Sequence, residues 1–136
     1  MSFTNEEQFN KLRRVRDETL EAVSPSFCIA KWTQSTIYLF NGHTHSCHHP
    51  NTHKIRVEDI KRNPAALHNT PDKQERRREM LAGVFPTECD YCWRTEKKGK
   101  EHLSDRTYKS ASSWSLPRLS EVLESGTGPD FRPSYV

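Results

Sequence analysis

Four cysteines constrain what this chain can fold into more than any other feature of its sequence. Their spacing is Cys28-x18-Cys47-x41-Cys89-x2-Cys92. The close pair, Cys89 and Cys92, can direct two sulfurs at one ion from a tight turn whose backbone amides donate to them. Four thiolates would close one site, either a tetrahedral zinc ion or a [4Fe–4S] cluster with one cysteine per iron, and the alternative for Cys28 is an inert buried thiol.

The apolar content gives a reason to expect such a site. Only 32% of the 136 residues are hydrophobic, whereas a typical globular domain has roughly 45–50% apolar residues. Metal–thiolate bonds contribute folding free energy on the order of 10 kcal/mol, enough to compensate for a thin core. No secretory signal or membrane-length apolar run is present, so we expect a cytoplasmic protein without a membrane association, whose cysteines stay reduced.

Local patterns predict a small α+β, metal-stabilised module with one β-hairpin and several short helices. Residues 36–40 are rich in β-branched and aromatic side chains, and Asn41-Gly42 separates them from 44–47. This predicts a hairpin over about 36–47 with a type I′ turn. We expect loops at 48–53 and 97–106 and a knuckle-like turn at 85–93.

Helix signals occur in four segments. Thr70 is a candidate N-cap with Pro71 in the first helical position, and Gly83 is the stop signal. Its apolar face is poor, and we expect the charge run at 73–79 to be a solvated face rather than a phosphate-binding one. The other predicted helices lie within 1–24 with a Thr4-x-x-Glu7 capping box, at 57–61, and at 117–124 with Ser115 as cap.

Histidines crowd around Cys47 and offer nitrogen ligands. Five of the seven lie between His43 and His53. Imidazole is a common ligand of transition metals, so His45, His48 and His49 are secondary candidates for the site. The three tryptophans are expected to fill the core, and stacking on nucleic-acid bases is their alternative role.

The order of these motifs resembles a known family. The N-terminal region of radical S-adenosylmethionine (SAM) proteins of the twitch/SPASM type is similar to the segment from Ser26 to Arg106. The matching features are Phe27-Cys28-x3-Trp32, the hairpin that closes on Cys47, Asn63, the charged helix ending Met80-Leu81-x-Gly83, and Pro86-x2-Cys89-x2-Cys92-x3-Glu96-x2-Gly99-x4-Ser104-x-Arg106.

The resemblance implies an auxiliary [4Fe–4S] cluster bound by Cys28, Cys47, Cys89 and Cys92. It implies an N-terminal helix at 1–24, a cluster-binding module at 25–110, and a helix and linker at 111–136 that lead to a radical SAM barrel. The chain departs from the family at Ala30-Lys31, where Leu-Pro is common, and at His48, where a second cysteine is common. We expect Arg106 to pair with Glu96.

The Cys-x3-Cys-x2-Cys motif of a SAM-cleaving cluster does not occur in these residues. We therefore expect the chain to be the front part of a longer enzyme, with SAM bound only in the full-length parent and the substrate unknown. The competing hypothesis is a structural zinc module of a nucleic-acid-associated protein, using the same thiolates or Cys47, Cys89 and Cys92 with a histidine. A third is a metal-dependent nuclease built on the histidine-rich hairpin.

Overall fold

A computed structural model describes residues 5–136, and it confirms the small α+β fold with a hairpin and short helices. Three short strands form one antiparallel sheet in the order β1 (Thr36–Tyr38), β2 (His43–His45), β3 (His53–Lys54). The α-helices are α1 (Asn5–Arg14), α2 (Glu21–Val23), α3 (Ala30–Thr33), α4 (Val57–Arg62), α5 (Pro71–Leu81), α6 (Asp90–Glu96), α7 (Asp105–Ser110) and α8 (Leu119–Ser125). A π-helical stretch, Val15–Leu20, joins α1 to α2, and 3₁₀ turns occupy Pro64–Leu67, Thr87–Cys89 and Leu116–Arg118.

The hairpin has the predicted partners but not the predicted turn. Thr36 pairs with His45 and Tyr38 with His43, which leaves four residues in the loop. Among them Gly42 has a positive φ of 70° and Asn41 does not, so the type I′ prediction, which needs positive φ at both central residues, is wrong. The Gly42 N–H donates instead to the Tyr38 carbonyl at 2.8 Å.

Two segments predicted as loops contain regular structure. His53 belongs to strand β3, whose residues pair with β2. The polar stretch 97–106 runs into α7 at Asp105, and the close cysteine pair lies on a 3₁₀ turn followed by α6 rather than on an open turn. Short helices of this kind escape sequence patterns because they hold fewer than two turns of periodicity.

The helices predicted at 57–61, from Pro71 and at 117–124 are present, although a side chain caps only the second. The Thr70 hydroxyl accepts from the Lys73 N–H, and α5 begins at Pro71 as expected. The helix at 57–61 is present as α4. The Thr4 capping box lies outside the described residues, and Ser115 does not cap α8, because its hydroxyl bonds to that of Thr33.

Charged side chains occupy the interior face of α5, contrary to the prediction of a solvated face. Lys73 and Arg77 are 2% and 1% exposed, and with Met80 they share one side of the helix at helical spacing. Arg77 donates to the Asn69 side-chain oxygen at 2.8 Å and to the backbone carbonyls of Lys31, Thr127 and Gly128. A polar network therefore replaces part of the missing apolar core.

The apolar core is small and reaches the C-terminal segment. Trp32 is fully buried and Trp93 nearly so, whereas Trp114 is half-buried and stacks on Tyr135. The segment in which we expected a linker packs on the module, since Phe131 is buried and the Ser35 N–H donates to the Tyr135 carbonyl at 2.8 Å. The buried cluster consists of Leu20, Phe27, Ile29, Trp32, Met80, Cys89, Cys92, Trp93, Val122 and Phe131.

Within residues 5–136, no helix has the length and apolar character needed to cross a membrane.

Candidate metal centre

All four cysteines line one cavity. They reach it from four places in the fold. Cys28 precedes α3, Cys47 follows β2, Cys89 ends a 3₁₀ turn, and Cys92 lies in the first turn of α6. The cavity has a volume of about 20 Å³. By the same measure, a cavity that holds one buried water has a volume of about 10–15 Å³. Residues separated by up to 64 positions thus meet around a space larger than a single water.

Hydrogen-bond donors point at three of the sulfurs. The Ser110 hydroxyl donates to Cys28 Sγ at 3.7 Å, and Lys31 Nζ lies 3.5 Å from Cys89 Sγ. The backbone of Arg106 hydrogen-bonds to Cys92 and favours its thiolate. Donors of this kind stabilise thiolates over thiols and tune metal–sulfur centres.

Burial opposes ionisation of these cysteines in the absence of a bound cation. Burial, together with the charges of the neighbouring cysteines, raises the pKa of Cys89 to about 12 and the pKa of Cys92 to about 11. Burial and the charge of Cys47 also raise the pKa of Cys28. A metal cation reverses this balance, because it pairs with the thiolate charge and displaces the proton.

A buried serine at the cavity lacks a hydrogen-bond partner. Ser46 lines the cavity and is 2% exposed. In the part of the chain that the structure describes, its Oγ is one of the few buried side-chain atoms without any partner. Buried hydroxyls are normally satisfied. A sulfur-rich group in the cavity would give this hydroxyl an acceptor, so the residues present fit a thiolate-bound group.

The loop that follows Cys92 is held in place by the predicted ion pair. Arg106 donates to the two carboxylate oxygens of Glu96 at 2.7 and 3.1 Å, and Ser104 Oγ donates to the same carboxylate at 2.7 Å. Arg106 also donates to the Phe27 carbonyl at 2.9 Å, beside Cys28. The network therefore connects the chain segments that carry two of the four sulfurs.

Of the three candidate histidines, His49 lines the cavity, whereas His45 and His48 do not. His49 lines the cavity, bonds to Asp105 at 2.5 Å and stacks on Tyr91 at 3.9 Å between ring centroids. His45 is held by the Pro50 carbonyl and the Tyr38 hydroxyl, and His48 contacts Thr36. Among the three histidine candidates, His49 is the one placed beside the sulfurs.

Three charged residues at the cavity were not singled out in the sequence. Lys31, Asp105 and Lys109 line it together with the cysteines. Lys109 follows Asp105 by four residues on α7, a spacing that places both side chains on one face of the helix. That signal depends on knowing where α7 begins, and Lys31 has no comparable signal because Cys28 lies before α3.

Residues 5–136 contain no group of three or more His, Cys, Asp or Glu side chains placed to hold a metal ion, so the four cysteines line one cavity without forming a preassembled ligand set. Comparison of the chain with protein-family models, curated proteins and solved structures found no match. The site is therefore interpreted from its own residues, the four sulfurs, their donors and the cavity that they surround.

Proposed function

We propose that this chain binds a [4Fe–4S] cluster through Cys28, Cys47, Cys89 and Cys92, as the auxiliary-cluster module of a radical SAM protein of the twitch/SPASM type. The observation that carries the proposal is that the four cysteines of the chain line one cavity. Such a cluster supplies electron transfer or an iron that contacts substrate. The chain's own residues hold and orient the sulfurs and bury Cys89 and Cys92.

Hydrogen-bond donors at the sulfurs support a cluster as the bound group. The Ser110 hydroxyl donates to Cys28 Sγ, and the Lys31 ammonium group donates to Cys89 Sγ. Donors of this kind tune the potentials of iron–sulfur clusters. The same four thiolates would hold the zinc ion of the alternative, and metal analysis distinguishes the two.

The placement of the basic helix α5 argues against the alternative, a zinc module of a nucleic-acid-associated protein. Lys73 and Arg77 are buried in polar networks, so they are not available for phosphates. No cysteine remains outside the cavity for a SAM-cleaving cluster. We therefore assign SAM and the substrate to a radical SAM barrel of the full-length parent, in the reducing cytoplasm, where all four thiols stay free.

Anaerobic reconstitution of the full chain with iron and sulfide tests the proposal. We expect four irons and four sulfides per chain, the visible absorption of thiolate-bound iron, and an electron paramagnetic resonance signal after reduction with dithionite. Cys92→Ser should lower the iron content and bleach the absorption. His48→Ala is the matched control, because His48 follows a cysteine but contacts Thr36, and it should leave the iron content unchanged.

Two outcomes contradict the proposal. A colourless chain that retains stoichiometric zinc would replace the cluster with a structural zinc ion. A chain whose iron content is the same with and without Cys92 would show that the four cysteines do not act as one ligand set.

A further inference from the structure

A lysine lies among the sulfurs. Lys31 belongs to α3, its side chain is 2% exposed, and it lines the cavity with the four cysteines. Its Nζ lies 3.5 Å from Cys89 Sγ and forms an ion pair with the Glu88 carboxylate. A buried ammonium group of this kind is expensive to desolvate, so its position beside a sulfur calls for a role.

We propose that Lys31 sets the reduction potential of the cluster bound at this site, by placing a fixed positive charge against the Cys89 sulfur, and this inference rests on the proposed function. Reduction adds one electron from an external reductant, forms or breaks no bond in the protein, and makes the site more negative. The charge of Lys31 favours that state. Lys31 therefore acts by holding a positive charge beside the Cys89 sulfur, and it does not bind the metal.

The environment of Lys31 keeps its charge in place. Its Nζ forms an ion pair with the Glu88 carboxylate, and the lysine side chain is 2% exposed. This pairing holds the ammonium charge beside the sulfur in a poorly solvated site, where electrostatic interactions are stronger than in water.

Glu88 moderates this effect. Its side chain is 26% exposed and pairs with the same ammonium group, so it competes with the sulfur for the lysine charge. Neutralising the carboxylate leaves the charge of Lys31 directed at Cys89. The pair Lys31 and Glu88 therefore predicts shifts of opposite sign when either charge is removed.

The test is a potentiometric titration of the reconstituted full chain. In Lys31→Met we expect the ratio of reduced to oxidised cluster at a fixed potential to fall at least tenfold, which is about 59 mV for a one-electron couple. In Glu88→Gln the potential should rise, and in Lys31→Arg, which keeps the charge, it should stay near the wild-type value.

Lys109→Met is the matched control, because Lys109 is a cavity-lining cation that is not placed against a sulfur as Lys31 is. It should shift the potential less than Lys31→Met. An equal shift in both variants would overturn the inference, because any charge near the cavity would then have the same effect on the potential. An unchanged potential in Lys31→Met would also overturn it. If Lys31→Met does not assemble, an unchanged or lower potential in Glu88→Gln overturns it. A wild-type chain without a cluster would instead contradict the proposed function itself.

Discussion

Replacing Arg106 with methionine tests how strongly the buried ion pair holds the module together. Arg106 is 1% exposed and donates to both oxygens of Glu96 and to the Phe27 carbonyl. Methionine keeps much of the aliphatic volume of the side chain but removes every donor. Arg106→Met therefore leaves the Glu96 carboxylate without its cationic partner, with only the Ser104 hydroxyl as donor, and the buried Phe27 carbonyl without its donor.

The structure sets the expected magnitude. Removing one partner of a buried pair destabilises a protein by about 3–5 kcal/mol. Glu96 is 18% exposed, so water partly hydrates its charge and the lower end of that range, about 3 kcal/mol, applies. The second acidic partner, Glu21, is 36% exposed and adds less than about 1 kcal/mol. For a chain of this length the loss is equivalent to about 10 °C in melting temperature.

Urea unfolding followed by tryptophan fluorescence measures this loss, with reduced thiols and without added metal in all samples. The control is Arg94→Met. Arg94 pairs with Asp90 at 2.8 Å, but the two side chains are 70% and 58% exposed. Because exposed pairs contribute little, the control should lose less than about 0.5 kcal/mol.

A loss below about 1 kcal/mol in Arg106→Met would refute the reasoning, since the pair would then behave like one on the surface. The double variant Arg106→Met/Glu96→Leu gives a second check. It removes both charges, so it should be more stable than Arg106→Met alone. A double variant that is less stable would show that Glu96 has a stabilising role independent of Arg106.

Two further substitutions test the packing of the C-terminal segment and the buried lysine. Gly128→Ala would place a Cβ 3.0 Å from Phe131 Cβ and 3.1 Å from Trp32 Cδ1 at a φ of +66°, so calorimetry should show a loss of about 3 kcal/mol. Gly42→Ala, with a φ of +70° and open space around its Cβ, should lose only about 1 kcal/mol; equal losses would contradict the packing. Burial lowers the pKa of Lys73 from 10.5 to about 7, so the folded chain binds fewer protons than the unfolded chain above pH 7. The unfolding free energy of the wild type relative to Lys73→Met should therefore rise with pH, by about 2 kcal/mol over two pH units, and a constant difference would contradict it.

Local signals made part of the fold predictable. Thr70 with Pro71 defined the start of α5 from two adjacent residues, because a cap and a fixed φ act within one turn. The pairing of Arg106 with Glu96 was also anticipated, and the structure confirms it. The turn at Asn41-Gly42 was not, because the two-residue rule assumes strands that continue to the turn, and here β1 ends at Tyr38.

The burial of charged side chains depends on partners that are distant in the sequence, so the sequence pattern did not predict it. A lysine and three arginines in a charged helix look solvated, and the burial of Lys73 and Arg77 depends on acceptors elsewhere in the chain. Lys73 donates to Thr44, and Arg77 to the Thr127 carbonyl, 50 positions away. Periodicity describes one helix face and carries no information about such acceptors. Lys31 escaped notice for the same reason, since Glu88 and Cys89 lie 57 and 58 positions further on.

The proposed cluster gives the polar interior and the four cysteines one electrostatic explanation. Lys31 and Arg106 both line the cavity, and their charges lower the pKa values of Cys89 and Cys28 against the larger effect of burial. Each cation also has a carboxylate partner, so neither is an unpaired buried charge when the cavity holds only thiols. Under the proposed function these two cations would compensate the charge of bound thiolates, which leucine at the same positions would not.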